Sequence, residues 1–161
     1  GRAYEEICAQ EAQTGIRFDY IFHASGTGAT QAGLVCGQLL AKDEARRIVG
    51  ISIAREKDRG REVVRESIEA YLGAAYERLY RDEALVFDAS YRCGGYGKYT
   101  QEILDVIGKV MSEEGVPMDT TYVGKAFWGM LQYLGEKEIC GRKILFLHTG
   151  GTPLFFDKLV L

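Results

Sequence analysis

The stretch Arg17 to Gly33, RFDYIFHASGTGATQAG, constrains the fold more than any other part of the chain. Arg17 to Ala24 is rich in aromatic and β-branched residues and has no clean polar alternation. That is the signature of a strand covered on both faces. Glycines follow, and then residues that favour a helix from about Thr30 to Lys42. A second apolar run, Arg47 to Ala54 (RIVGISIA), comes next. A strand, a tight turn, a helix and another strand make the unit of a parallel sheet, because parallel neighbours need a crossover between them.

The same alternation continues along the chain. Ala3 to Thr14 reads as an amphipathic helix with Tyr4, Ile7, Cys8 and Ala12 on one side, stopped by Gly15. Asp58 to Tyr80 is strongly helical, and Ala84 to Asp88 is a short strand. Gly94 to Gly97 is a loop. Thr100 to Glu114 is a helix with Thr100 as its N-cap and Gly115 as its stop. Its apolar side carries Ile103, Leu104, Ile107 and Val110 or Met111. Gly124 to Leu134 is another helix. Lys143 to Leu147 (KILFL) is a strand that closes in His148-Thr149-Gly150-Gly151, and Pro153 opens a last short helix. The expected fold class is α/β, a mostly parallel sheet flanked by helices. Ligands of such sheets bind beyond the C-terminal strand ends. Both Ser25–Gln31 and His148–Gly151 fall there.

Composition narrows the function classes. The 161 residues suffice for one domain with a core, and the net charge of −3 comes with no basic stripe, so no nucleic-acid partner is expected. No apolar run has the length of a membrane span, and the N-terminus lacks the apolar region of a signal peptide. Cys8, Cys36, Cys93 and Cys140 are scattered, with no C-x-x-C pair and no nearby histidine. They read as buried small hydrophobes in a reducing cytoplasm, with no metal site.

The glycine loop has the chemistry of an anion site. Glycines let backbone approach a phosphate closely. The first amides of the next helix have no partner within the helix, and the helix dipole favours negative charge there. Thr27 and Thr30 add hydroxyl donors. No Gly-Lys-Ser/Thr follows, so the loop is not a Walker A motif. Gly26-x-Gly28 and then Gly33 is too widely spaced for a dinucleotide fingerprint, and the next strand ends at Arg55 instead of an acid. Arg55 would suit a phosphorylated ribose, which keeps a nicotinamide-binding domain as a rival. A tight turn without a ligand fits the loop equally well.

Further segments resemble one family. FDYIFHASGTGATQAG, Tyr91-Arg92-Cys93-Gly94-Gly95-Tyr96-Gly97, the segment Gly115 to Ala126 (GVPMDTTYVGKA) and His148-Thr149-Gly150-Gly151 are similar, in order, to segments of the D-cysteine desulfhydrase / 1-aminocyclopropane-1-carboxylate deaminase family. They cover most of residues 17–157. The resemblance implies the C-terminal portion of the large cofactor-binding domain of a tryptophan synthase β-like enzyme, with pyridoxal 5'-phosphate as cofactor. It further implies that Gly26, Thr27, Gly28, Ala29 and Thr30 hold the cofactor phosphate. Tyr96 and Tyr122 approach cofactor and substrate, and Thr149 faces the pyridine nitrogen. His148 reads as a structural hydrogen-bonder. The reaction implied is loss of a β-thiolate from D-cysteine, giving pyruvate, ammonia and sulfide. Deamination of a cyclopropane amino acid is the alternative.

Departures from the family pattern also count. Thr120-Thr121 stand where the family has Pro-Val, and Val123 stands where the deaminase branch has an acid near the pyridine nitrogen. Val123 tilts the expectation toward the desulfhydrase branch. None of Lys42, Lys57, Lys98, Lys109, Lys125, Lys137, Lys143 and Lys158 matches the cofactor lysine, which the family carries in an N-terminal half not seen here. The resemblance therefore implies a chain that lacks the covalent step by itself, and association with an N-terminal half or a homodimer. A non-catalytic module that keeps the phosphate cradle is the other expectation.

Overall fold

Each apolar run becomes a strand of one parallel sheet in the computed structural model, which describes residues 1–156. The strands are β1 (Tyr20–Ser25), β2 (Arg47–Ser52), β3 (Val86–Asp88) and β4 (Ile144–Leu147), in the order β3-β2-β1-β4. All pairings are parallel, with Tyr20 level with Arg47 and with Ile144. The helices are α1 (Arg2–Thr14), α2 (Ala29–Leu40), α3 (Lys57–Leu72), α4 (Tyr76–Leu79), α5 (Gln101–Glu114), α6 (Val123–Glu136) and α7 (Thr152–Phe156). The expected α/β class is what the chain adopts. Among the described residues no helix is long and apolar enough to cross a membrane.

Both sheet faces are covered, which is why β1 and β2 read as continuous apolar runs. Ile21 and Ile48 pack with Leu34 and Val35 of α2, Val64 and Ile68 of α3, and Tyr4 and Ile7 of α1. Phe22, Val49 and Ile51 face the other way, onto Ala126 and Met130 of α6. Ile103 and Ile107 of α5 then pack with Val123 and Met118. Gly60 lets α3 sit on the sheet, since a Cβ there would lie 2.1 Å from the Phe87 ring. Among the described residues no strand pairs with the outer edge of β4, and its four residues are only half-buried.

Three boundaries differ from expectation. Residues Arg17 to Asp19 precede the strand: the Phe18 amide donates to the Glu11 carboxylate at 2.7 Å and Arg17 pairs with Asp43, while Asp19 bonds through its backbone to Lys143 and Arg47 at the strand's start. The long helix breaks at Gly73 (φ 52°, ψ −128°) into a 3-10 turn and the short α4. Thr100 stands at the cap position of α5, but its side chain makes no capping bond. The cysteines are all free, and only Cys36 is buried; Cys8 and Cys93 are half-buried and Cys140 is exposed. Lys158 lies outside the described residues.

Candidate active site

The C-terminal ends of β1, β2 and β4 form one rim, and the residues singled out from the sequence gather along it. Gly28 caps α2 in the left-handed region (φ 94°). A Cβ there would lie 2.9 Å from Val64 Cγ2 of α3, so the position requires glycine on two counts. The amides of Ala29, Thr30 and Gln31 begin the helix without carbonyl partners in it. Thr27, Ala29 and Thr30 are exposed beside them. The ends of the loop are committed elsewhere. Ser25 Oγ donates to Gln31 Oε1 at 3.0 Å, and Gln31 Nε2 donates to the Val86 carbonyl at 2.7 Å. These two bonds fix the loop to the sheet and leave its middle to face outward.

Arg55 pins the loop from β2, its Nε donating to the Gly26 carbonyl at 2.9 Å. This ties up one of the donors that a phosphorylated ribose would need. A Cβ on Gly26 would lie 3.9 Å from Cε1 of Tyr122, so that ring borders the loop. Tyr122 in turn meets Tyr96. Their hydroxyls are 2.6 Å apart and their rings cross edge to face at 5.8 Å. That separation is at the short end for O–H···O bonds. The bond to Tyr96, and then burial, hold the Tyr122 phenol above its ordinary pKa. Tyr122 therefore stays protonated near neutral pH, with its hydroxyl hydrogen-bonded to that of Tyr96.

Three side chains the sequence reading left aside build this arrangement. Asp119 is buried and accepts the amides of Thr121 and Tyr122 on one oxygen and of Val123 on the other, all at 2.8 Å. It holds the turn that leads into α6 and so aims Tyr122. An acid just ahead of an apolar helical run is a readable cap signal. A Cβ on Gly151 would lie 2.7 Å from Asp119 Oδ1, which lets the loop after β4 come close. The second of the three, His148, accepts from Gly150 N on Nδ1 (3.3 Å), so its Nε2 carries the proton and donates to the Pro117 carbonyl at 3.0 Å. This is the structural role expected of it. Thr149, exposed between these contacts, is thereby brought to the same rim. Lys125 is the third. It is fully buried and donates to the carbonyls of Ile53, Arg92 and Gly95 at 3.0, 3.1 and 2.7 Å.

No cluster of metal-ligating side chains occurs among the described residues. A cavity of about 770 Å³ opens at the opposite end of the sheet, lined by Gln38, Asp43, Arg46, Arg78 and Arg81 among others. It contains none of the residues expected at the site.

Fold and rim define a parallel α/β unit whose glycine loop and paired phenols share the edge formed by the C-terminal strand ends. No family profile matches the chain. A Pyrococcus abyssi protein provisionally named a 1-aminocyclopropane-1-carboxylate deaminase is 33% identical over 155 residues, which is 96% of this chain and 46% of that protein. A Burkholderia multivorans protein named 1-aminocyclopropane-1-carboxylate deaminase is 38% identical over 155 residues, 92% of this chain and 44% of that protein. The crystal structure of an ACC deaminase homologue matches with a TM-score of 0.74 and 36% identity, covering 93% of this chain and 44% of that one. In sequence and fold nearly the whole chain is similar to one part of these deaminase-like proteins. It spans less than half the length of the curated relatives it matches.

Proposed function

We propose that the chain is the phosphate-holding, phenol-bearing part of a pyridoxal-phosphate-dependent lyase of the cytoplasm. The observation that carries this reading is the junction of the glycine loop with the hydrogen-bonded pair Tyr96–Tyr122 on one rim. The loop fits a phosphate. Gly28 takes a backbone conformation that strains other residues, and the opening helical turn offers free amides. When bound, the cofactor supplies an electron sink for the carbanion at the substrate Cα.

The chain's own residues then have distinct tasks. Gly26 to Thr30 hold the phosphate through backbone amides and the hydroxyls of Thr27 and Thr30. Thr149 offers the pyridine nitrogen a neutral hydroxyl, which does not force that nitrogen to be protonated. Tyr122, with its proton shared with Tyr96, gives or takes a proton beside the loop. Lys125 is not the lysine that binds the cofactor covalently, because its three N–H groups are spent on three carbonyls. The other described lysines, Lys42, Lys57, Lys98, Lys109, Lys137 and Lys143, are exposed. In this reading the covalent lysine comes with an N-terminal half that associates with the chain.

Within this class, the reaction is elimination from D-cysteine, giving pyruvate, ammonia and sulfide. Val123 supports this, because it follows Tyr122 without an acid and is buried with Ile103 and Ile107. A second reading, opening and deamination of a cyclopropane amino acid, is favoured by the names of the relatives. Titrating the chain with pyridoxal phosphate, inorganic phosphate and NADPH tests the cofactor class. Binding of pyridoxal phosphate that phosphate competes away is expected. Binding of NADPH alone would overturn the reading. Adding a lysine-bearing N-terminal half and assaying pyruvate from D-cysteine against 2-oxobutanoate from the cyclopropane substrate decides the branch.

A further inference from the structure

We infer that Lys125 is a positioning residue for the tyrosine pair: its ammonium ties the Arg92–Gly95 turn, which carries Tyr96, to the helix that carries Tyr122, and so keeps the two phenols in hydrogen-bonding contact. The inference rests on the reading of that pair as the proton-handling part of the site.

Lys125 lies on α6 one helical turn beyond Tyr122, and its side chain has no exposure. An ammonium has three donors and no acceptor. Here each donor has one carbonyl, and the carbonyls come from two distant pieces of chain. Ile53 follows β2 and borders Gly26, while Arg92 and Gly95 bracket the turn just before Tyr96. No carboxylate forms an ion pair with Lys125 among the described residues. Burial lowers its pKa, so the charge is held at a cost. A methionine would fill the same space without that cost. What the ammonium adds is direction, because it gathers three carbonyls to one point.

Cys93 packs against the Ile103–Ile107 cluster and its Sγ donates to the Tyr91 carbonyl at 3.4 Å, but the glycine half of the turn has little to fix it. Cys93, Gly94, Gly95 and Gly97 all have positive φ. Space for a Cβ is open at each of the three glycines, so neighbouring side chains do not brace them. The turn closes on itself through Gly95 N to Arg92 O (3.0 Å) and Lys98 N to Gly95 O (3.3 Å). Arg92 also pairs with Glu56, whose side chain is 69% exposed, and exposed pairs hold little. Tyr96 itself is 63% exposed. Without the Lys125 anchor, a glycine-rich turn bearing an exposed tyrosine is free to leave Tyr122.

Photo-oxidative dityrosine formation on the full chain reads this proximity without any cofactor. The yield of the peptide cross-linked between residues 96 and 122 is measured by mass spectrometry, which separates it from a Tyr76–Tyr80 product. The expected result for Lys125→Met is a fall of about ten-fold, the effect of losing about 1.4 kcal/mol of charged hydrogen bonding. Glu56→Ala, an exposed change that leaves Lys125 in place, is expected to keep the wild-type yield. An unchanged yield in folded Lys125→Met overturns the inference. So does a collapse of the yield in Glu56→Ala, which would assign the turn to the surface ion pair, and this second arm stands even where the methionine variant does not fold. Turnover of D-cysteine by the assembled enzyme is scored separately. If the cross-link is lost while turnover persists, the positioning role holds and the reading of the pair as the proton-handling group fails.

Discussion

The hydroxyls of Tyr96 and Tyr122 are hydrogen-bonded across 2.6 Å, although the two residues belong to different loops at the sheet rim. The bond raises the pKa of Tyr122. Removing it in Tyr96→Phe is expected to bring Tyr122 back down toward the ordinary tyrosine range, so that it ionises at lower pH. Spectrophotometric titration of tyrosinate checks this, with Tyr122→Phe marking which transition disappears.

Gly28→Ala is expected to destabilise the chain by about 1–3 kcal/mol, from the positive φ and from the contact with Val64. It is also expected to abolish competition between pyridoxal phosphate and inorganic phosphate. Gly108→Ala, in the middle of α5 with open space around it, should instead be neutral or stabilising by up to about 1 kcal/mol. Urea denaturation of both variants, with phosphate titration of the first, distinguishes a cradle glycine from a helix glycine.

Asp119→Ala removes the acceptor for three amides at the start of α6. The expected cost is about 2 kcal/mol, the upper end for a helix cap. Because the same amides orient Tyr122, the raised ionisation of Tyr122 should weaken in parallel. A loss of stability with the Tyr122 titration unchanged would show that Asp119 serves the fold alone.

His23 is fully buried in β1, donates Nδ1–H to the Ala24 carbonyl at 3.0 Å and has no partner for Nε2. Burial pushes its pKa down to about 4 from 6.5. The unfolded chain therefore takes up a proton near pH 6.5 while the folded chain resists until about pH 4. Its stabilising effect is complete above pH 6.5, declines as pH falls through this window and is gone below it. The total is about 3 kcal/mol. His23→Leu should flatten that part of the stability–pH curve, as measured by denaturation at pH 7.5, 5.5 and 4.

Arg46 lies beneath α1 with its side chain 1% exposed, held by the Glu11 carboxylate at 2.6 and 2.8 Å and by the Phe18 carbonyl at 3.1 Å. Glu11→Ala leaves this guanidinium buried with Asp43, at 3.7 Å, as its remaining carboxylate. A loss of about 3 kcal/mol is expected. The double variant Glu11→Leu with Arg46→Met should recover much of it, which a thermal-unfolding cycle measures.

What the sequence makes legible follows from what is local. Gly15 and Gly115 end their helices in the left-handed conformation, as glycine at those positions demands. Arg17 to Asp19 look like strand because Phe18 and Ile16 flank apolar neighbours. The bond that removes them from the ladder comes from Glu11, on another element. The helical run past Gly73 has good helix formers on both sides, so only the glycine's own backbone angles betray the break. At the site, the glycine loop and both tyrosines are visible as motifs. Lys125 is not, because its partners Ile53, Arg92 and Gly95 are remote in sequence and are backbone atoms, which leave no mark on residue type.

The strand order also has a consequence for synthesis. β1 sits between β2 and β4, yet the contacts that seat β4, such as Lys143 N to Asp19 Oδ2, span 124 residues. Residues through 147 must therefore emerge from the ribosome before β1 gains its second neighbour. During that interval β1 offers an open, mostly apolar edge, and closure of so long a loop is slow. Nascent chains of this topology are expected to depend on holding chaperones until residue 147 emerges, and to aggregate through β1 when translation stalls earlier.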